Sequence, residues 1–305
     1  MKNFRQTLGI YLLAFVVASA VQARAADVPV AALQGAWRQV DGERLCYVHG
    51  SEVFIFDEGR LSVYGVVHHR PGTLVLRSEG KLSVWHASLK DRVLEFGRDA
   101  DVKTYRKLTS LPAQLVLKPF PLGEAKPLPA ERVKLIQDEI ARRWERDQEV
   151  RKDPAQKALA LKVDADNREY FLNLLHEVGW LDAARFGTKT SVYATLFVKH
   201  IYSLALNLAA LPYVERDLKA TGEGQIYAIL YDDTQLHLGR KQRYGTQLDQ
   251  DAQGNPYVLP LEQPRKVDEL LKAIGQPPLA TYLADASRVL YDGKPIRLAT
   301  PEESE

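Results

Sequence analysis

His200 is the residue whose type and place best suit proton transfer. It falls in the run Tyr193, Leu196, Phe197, His200, Ile201, Leu204, Leu208 and Leu211, which repeats at helical spacing and is otherwise apolar. A buried imidazole needs a hydrogen-bond partner and shifts its pKa with its surroundings. That suits a general base or a ligand contact, and equally a satisfied core histidine. Asp232, beside Ile229, Tyr231 and Leu236, has the chemistry to orient His200 or to pair with Arg240 or Arg243; a helix-end charge is the plainer reading. His200 and Asp232 are therefore the candidate catalytic residues. Gln242, Tyr244 and Gln247 bracket a Gly245-Thr246 turn. Such side chains either fix a buried loop through backbone hydrogen bonds or line a pocket. With no nucleophile beside a base, loop fixing is favoured. Asn167 and Arg240 join these three as candidate ligand contacts.

Other chemistries lack their signatures. His68 and His69 are adjacent on an expected strand, so they point to opposite faces and do not readily share a metal. The chain has no His-Glu-x-x-His, Gly-x-Ser-x-Gly, P-loop or dinucleotide motif. Asp249, Asp251, Gln253 and Gly254 imitate the start of a calcium loop, but Pro260 stands where the bidentate Glu belongs. No metal and no cofactor is expected. Arg240, Lys241 and Arg243 form a small basic cluster suited to a solvated loop or an anionic ligand.

The elements that position these residues follow from punctuation. The chain has 305 residues, 41 Lys+Arg against 39 Asp+Glu, and one Cys. Near-neutral charge excludes a general pull toward nucleic acid, and one Cys excludes a disulfide framework or Cys-rich zinc module. Lys2 and Arg5, an apolar run Thr7 to Val21 and Ala23-Arg24-Ala25 read as a signal peptide over 1–25 with cleavage after Ala25. The expected location is periplasmic or secreted, with no membrane span after cleavage. Without residues 1–25, which hold Lys2, Arg5 and Arg24, 38 basic residues face 39 acidic ones.

From Gly35 to Gly97, glycines alternate with short β-favouring runs at Leu45–His49, Glu52–Phe56, Leu61–Val67, Thr73–Leu76, Leu82–Trp85, Val93–Phe96 and Val102–Tyr105. This predicts a small antiparallel β-barrel or meander over 30–110. With Gly35-Ala36-Trp37 at its start, it resembles the Gly-x-Trp opening of lipocalin-like barrels over about 33–108. That resemblance implies that Trp37 closes the barrel floor and that a late Arg, Arg106 here, packs on it. Strands of about five residues enclose little, so a filled interior is expected rather than a carrier cavity. Five prolines within 111–130 mark a stiff linker. Beyond it, 131–299 reads as a mainly α-helical domain with a C-terminal helical arm, and 300–305 as an acidic tail. The expected helices are Glu131–Arg151, one capped by Asp166, Thr190–Leu211 ended by Pro212, Gly224–Leu236, Val267–Ile274 and Leu279–Leu290. Asp138–Arg142 and Glu139–Arg143 are expected i,i+4 pairs on a solvated face. The fold class is thus α+β, multidomain.

Asp164-Ala-Asp166-Asn167, Gly179-Trp180, His200, Asp232 and the block from Gly239 to Gln247 occur in that order. Pro264 to Asp268 and Gly275 to Leu283 follow. Over about 164–285 this resembles an uncharacterised bacterial helical family, the domain of unknown function 6624-like proteins, with their Tyr-Gly-Thr-Gln signature. Tyr202 and Asp233 depart from that pattern, where the family carries an Asp and an Arg. The resemblance implies a helical domain and no defined activity. The expected function is a periplasmic or secreted binding or interaction protein, non-catalytic, with an unidentified protein or small molecule as partner. The alternatives are a hydrolase-type enzyme using His200 and the Tyr244–Gln247 loop, and a lipid or small-molecule carrier using the barrel.

Overall fold

Short β-favouring runs joined by tight turns pair in chain order, as expected for local antiparallel contacts. The structure is a computed structural model that describes residues 29–300 apart from 71, 202 and 252. The signal segment, Tyr202 and the last residues of the acidic tail lie outside the described residues. After a short helix α1 (Val30–Leu33) come β1 (Gly35–Gln39), β2 (Leu45–His49), β3 (Glu52–Asp57), β4 (Arg60–Arg70), β5 (Thr73–Ser78), β6 (Lys81–Lys90), β7 (Val93–Arg98) and β8 (Asp101–Lys107). Each pairs with the next, and β8 returns to β1, closing the barrel. Glu58-Gly59 and Glu79-Gly80 both hold positive φ, the I′ geometry that matches the twist of a two-residue hairpin.

The interior is packed with side chains. Trp37, Cys46, Val53, Leu74, Leu76, Leu94, Phe96 and Tyr105 are buried together, with Tyr64 and Trp85 against them. Trp85 stacks on Phe96 with ring centroids 5.0 Å apart. β4 and β6 run to 11 and 10 residues, longer than expected; a bulge between Val66 and His68 lets β4 bend and continue. Trp37 donates to the Leu33 carbonyl at 2.8 Å, fixing α1 to the barrel. The cation over its ring is Lys107, at 5.3 Å, not Arg106. Tyr105 points inward, so strand alternation sends Arg106 outward to solvent.

The helices that follow are α2 (Ala130–Arg151), α3 (Lys157–Val178), α4 (Ala183–Ile201), α5 (Leu204–Thr221) and α6 (Gly224–His237). Two differ from expectation. α3 starts nine residues before Asp166, which is interior to it rather than its cap. Asp153 accepts from Ala155 N and turns the chain into α3. The expected helix Thr190–Leu211 is two helices. Ser203 Oγ accepts from Leu206 N at 3.4 Å and the Ser203 carbonyl from Asn207 N, so a new helix begins there. Pro212 lies exposed inside α5 instead of ending it. Gly187, at φ 74°, kinks α4, and Gln137 Nε2 takes the Phe186 carbonyl beside the kink. Of the expected surface pairs, Glu139–Arg143 forms at 2.8 Å, whereas Asp138 pairs with Lys134.

After α6 come β9 (Leu248–Gln250), β10 (Pro256–Val258), α7 (Val267–Ala273), α8 (Leu279–Leu290) and β11 (Arg297–Leu298); the three strands form one sheet in the order β11-β10-β9. The chain forms two compact units. One holds residues 29–117, 232–273 and 277–300; the other holds Lys118–Tyr231 and Ile274–Gln276. The last quarter of the chain is thus grouped with the barrel, where the sequence assigns it to one helical domain over 131–299. The reason is close backbone approach: a Cβ on Gly65 would lie 2.3 Å from the Gly239 carbonyl oxygen, and Glu79 N donates to the Leu236 carbonyl.

Candidate functional site

In the helical unit, Ile136, Ile140, Trp144 and Asp147 repeat along one stripe of α2. The stripe is apolar until Asp147, whose side chain is 0% exposed. Trp144 packs on Tyr193, Phe197 and His200, which are spaced four and three residues apart on one face of α4. This contact brings His200 to Asp147: Nδ1 lies 3.1 Å from Asp147 Oδ1. Arg151, one turn along α2, donates to both oxygens of Asp147 at 3.0 and 3.2 Å and also to Asp164 of α3. Its Nη2 lies 3.3 Å from His200 Nδ1. The shorter, charge-assisted contact assigns the Nδ1 proton to the Asp147 side.

Asp147, Arg151, Asp164 and His200 therefore form one charge cluster. Burial pushes Asp147 up, but hydrogen bonds and charge from His200 and Arg151 outweigh it and hold the carboxyl down at about 2. Burial raises Asp164, against the pull of Arg151. His200 and Arg151 keep 16% exposure and Asp164 keeps 25%, so a small polar group or ion can reach the cluster from solvent. One turn further along α3, Asn167 is buried; its Oδ1 accepts from Arg143 at 3.1 Å while Nδ2 has no partner.

The signature loop is built differently. Asp232 is fully buried and its oxygens accept from four donors. These are Arg243 N at 2.8 Å, Tyr244 N at 3.0 Å, Thr246 N at 3.0 Å and Thr246 Oγ1 at 2.8 Å. Burial raises its carboxyl, and these amides and the hydroxyl pull the other way. Gln242 is equally buried: Oε1 accepts from Gln247 N, and Nε2 donates to the carbonyls of Gln247 and Leu259. Gln247 Nε2 donates to Thr246 Oγ1. Tyr282 Oη, on α8, donates to the Thr246 carbonyl at 2.9 Å. Gly245 has φ 78°, and a Cβ there would meet Leu279 at 2.8 Å. Tyr244 is buried in the same loop.

The expected site residues thus divide. Gln242, Tyr244, Gln247 and Asp232 come together as a closed polar clasp. His200 takes its acid from Asp147, and Asp232 takes neither His200 nor an arginine side chain. Arg243 reaches Asp232 through its amide while its guanidinium meets Glu262, and Arg240 is exposed and pairs with Glu52 at 3.1 Å. Asn167 lies near the charge cluster instead of the clasp. Asp251 accepts from Gln253 N and from Asn255 N and Nδ2, so its carboxylate closes its own turn. Asp147 and Arg151 were missed by reading the charges of α2 as a solvated face. Their signal was present, since Asp147 falls on the Ile136–Ile140–Trp144 stripe and is buried for that reason.

A family model described as a family of unknown function (DUF6624) matches residues 136–295, slightly more than half of the chain. No curated protein and no solved structure matches.

Proposed function

The chain belongs to this family of unknown function, and we propose that it is an exported binding protein whose helical unit takes a small polar or cationic ligand at the Asp147–Arg151–Asp164–His200 cluster. One observation carries the reading: these four charged or titratable groups converge and three of them, Arg151, Asp164 and His200, stay reachable from solvent, whereas the signature residues are spent on holding their own loop. The packed barrel interior leaves the carrier alternative without support. Export is part of the proposal and rests on the sequence of residues 1–25. The test is capture from a cell-envelope extract on the purified protein. A ligand or partner lost on His200→Gln or Asp164→Asn is the expected result. Capture indifferent to both substitutions refutes the placement of the site.

The hydrolase reading keeps one specific support. Asp147 holds His200 at 3.1 Å through Nδ1, an arrangement that orients an imidazole and leaves Nε2 for proton transfer. In that reading Asp147, not Asp232, is the positioning residue. It requires that His200→Ala abolish a turnover while the melting temperature stays nearly unchanged.

A further inference from the structure

The geometry points to a divalent transition-metal site at the charge cluster, with Asp147, Asp164 and His200 as ligands and the Arg151 guanidinium standing in for the ion when none is bound. The inference rests on the binding reading above and names its ligand class.

The donor atoms are already close. One carboxylate oxygen each from Asp147 and Asp164 and one imidazole nitrogen of His200 all lie within 4.8 Å of one another. Metal–oxygen and metal–nitrogen bonds of about 2.0–2.2 Å put neighbouring ligand atoms about 3.0–3.5 Å apart around one ion. The 3.1 Å between Asp147 Oδ1 and His200 Nδ1 has that spacing, and Asp164 closes the set with a movement of about 1–2 Å. Two carboxylates and one imidazole suit zinc-type ions better than calcium, which takes about 6–8 oxygens.

Arg151 bears on the same conclusion. Its guanidinium touches Asp147 and Asp164 and lies 3.3 Å from His200 Nδ1, so a positive charge already fills the space between the ligands. Arg151 is the last residue of α2 and its side chain is partly exposed, so releasing it to solvent breaks no interior helical turn. On binding, the Nδ1 proton gives way and the Nδ1 lone pair goes to the ion, with the ring proton kept on Nε2. Asp147 and Asp164 exchange Arg151 for the metal, and no charge is left buried alone. Three protein ligands leave a coordination position for water or an anionic group. Asn167 supplies an independent observation: it is 5% exposed, lies three residues from Asp164 on the same face of α3, and holds an unpartnered Nδ2–H donor.

The experiment is calorimetric titration of chelator-stripped protein with Zn2+ alone, with Mg2+ and Ca2+ as comparisons. One Zn2+ per chain is expected, with binding weakened at least about tenfold by His200→Gln and by Asp164→Asn. Arg151→Gln removes the competing cation, so it binds Zn2+ more tightly and gains more thermal stability from it than the unsubstituted protein does. Binding seen only in Arg151→Gln also supports the site, as one masked by the arginine. A network that is only a structural ion pair gives the opposite pattern: Arg151→Gln loses stability and Zn2+ restores none of it. Zn2+ binding unaffected by His200→Gln, or none in either the unsubstituted protein or Arg151→Gln, overturns the inference. Should a ligand substitution fail to fold, the visible spectrum of the Co2+-loaded unsubstituted protein decides, since bands of a nitrogen–oxygen site are required. An organic ligand that needs His200 but binds without any metal would overturn the metal assignment and leave the binding reading standing.

Discussion

Replacing Asp232 by Ala tests the clasp most sharply. The carboxylate is fully buried and serves three backbone amides and one hydroxyl between 2.8 and 3.2 Å. Alanine strands the buried amides of Tyr244 and Thr246 and takes the carboxylate acceptor from the half-buried amide of Arg243. An unsatisfied buried donor costs about 1–3 kcal/mol. Relief of the buried carboxylate's own desolvation offsets part of this, leaving a loss of about 3–5 kcal/mol. That is a large share of the roughly 5–15 kcal/mol that holds a domain together. It corresponds to a fall in melting temperature on the order of 10 °C or more. Asp232→Asn keeps one acceptor oxygen and should lose about half as much. The assay is urea unfolding followed by tryptophan emission in single-tryptophan backgrounds. Trp37 and Trp85 report on the barrel unit and Trp144 and Trp180 on the helical unit. The barrel-unit signal should move to lower urea. A shift worth less than about 1 kcal/mol, the value of one ordinary hydrogen bond, would refute the assignment of Asp232 as the loop's common acceptor.

Three further outcomes are expected. Asp147 sits at about 2 in the folded protein, below its unfolded value. Its contribution is therefore present above about pH 4 and lost as pH falls toward 2; it is worth about 2 kcal/mol, and Asp147→Asn should flatten the urea midpoint across that window. Gly65→Ala and Gly239→Ala each drive a Cβ into the facing backbone, at 2.3 Å and 1.9 Å, so each should cost more than about 3 kcal/mol in thermal unfolding; a near-neutral result would show that this contact does not form. Cys46 is buried, with its thiol pushed up to about 12 by burial, so a thiol reagent at pH 8 should label it only after denaturant is added; labelling of the native protein within minutes would contradict the packed barrel interior.

The barrel was legible because its turns and its alternation agree. Leu45–His49 is predicted and observed with the same ends, and the glycines that interrupt the strands supply the I′ hairpins. The start of α3 was not legible. Lys157 to Lys162 are helix formers whose Leu159 and Leu161 face solvent, so no amphipathic period announces the helix, and Asp166 drew the boundary instead. The division at Ser203 was hidden because the apolar residues continue in phase across it. At the site, residue types suggested His200 and Asp232 as a pair, but only tertiary packing assigns partners. Trp144 carries α2 against His200, and Asp147 arrives with it; Asp232 is consumed by amides eleven to fourteen residues away. A buried acid on an apolar helical stripe was the readable sign, and it pointed to Asp147.

If ligand chemistry belongs to the Asp147–Asp164–His200 cluster and the Tyr244–Gln247 loop is a fixed clasp, the two must respond differently to a metal. Nitrogen-15 NMR of the imidazole side chains and backbone amides during a Zn2+ titration reads both at once. The His200 ring signals should change, saturating at one equivalent, while the amides of Arg243, Tyr244, Thr246 and Gln247 keep their positions. A His200 ring that does not respond, or changes centred on residues 243–247, would contradict that division.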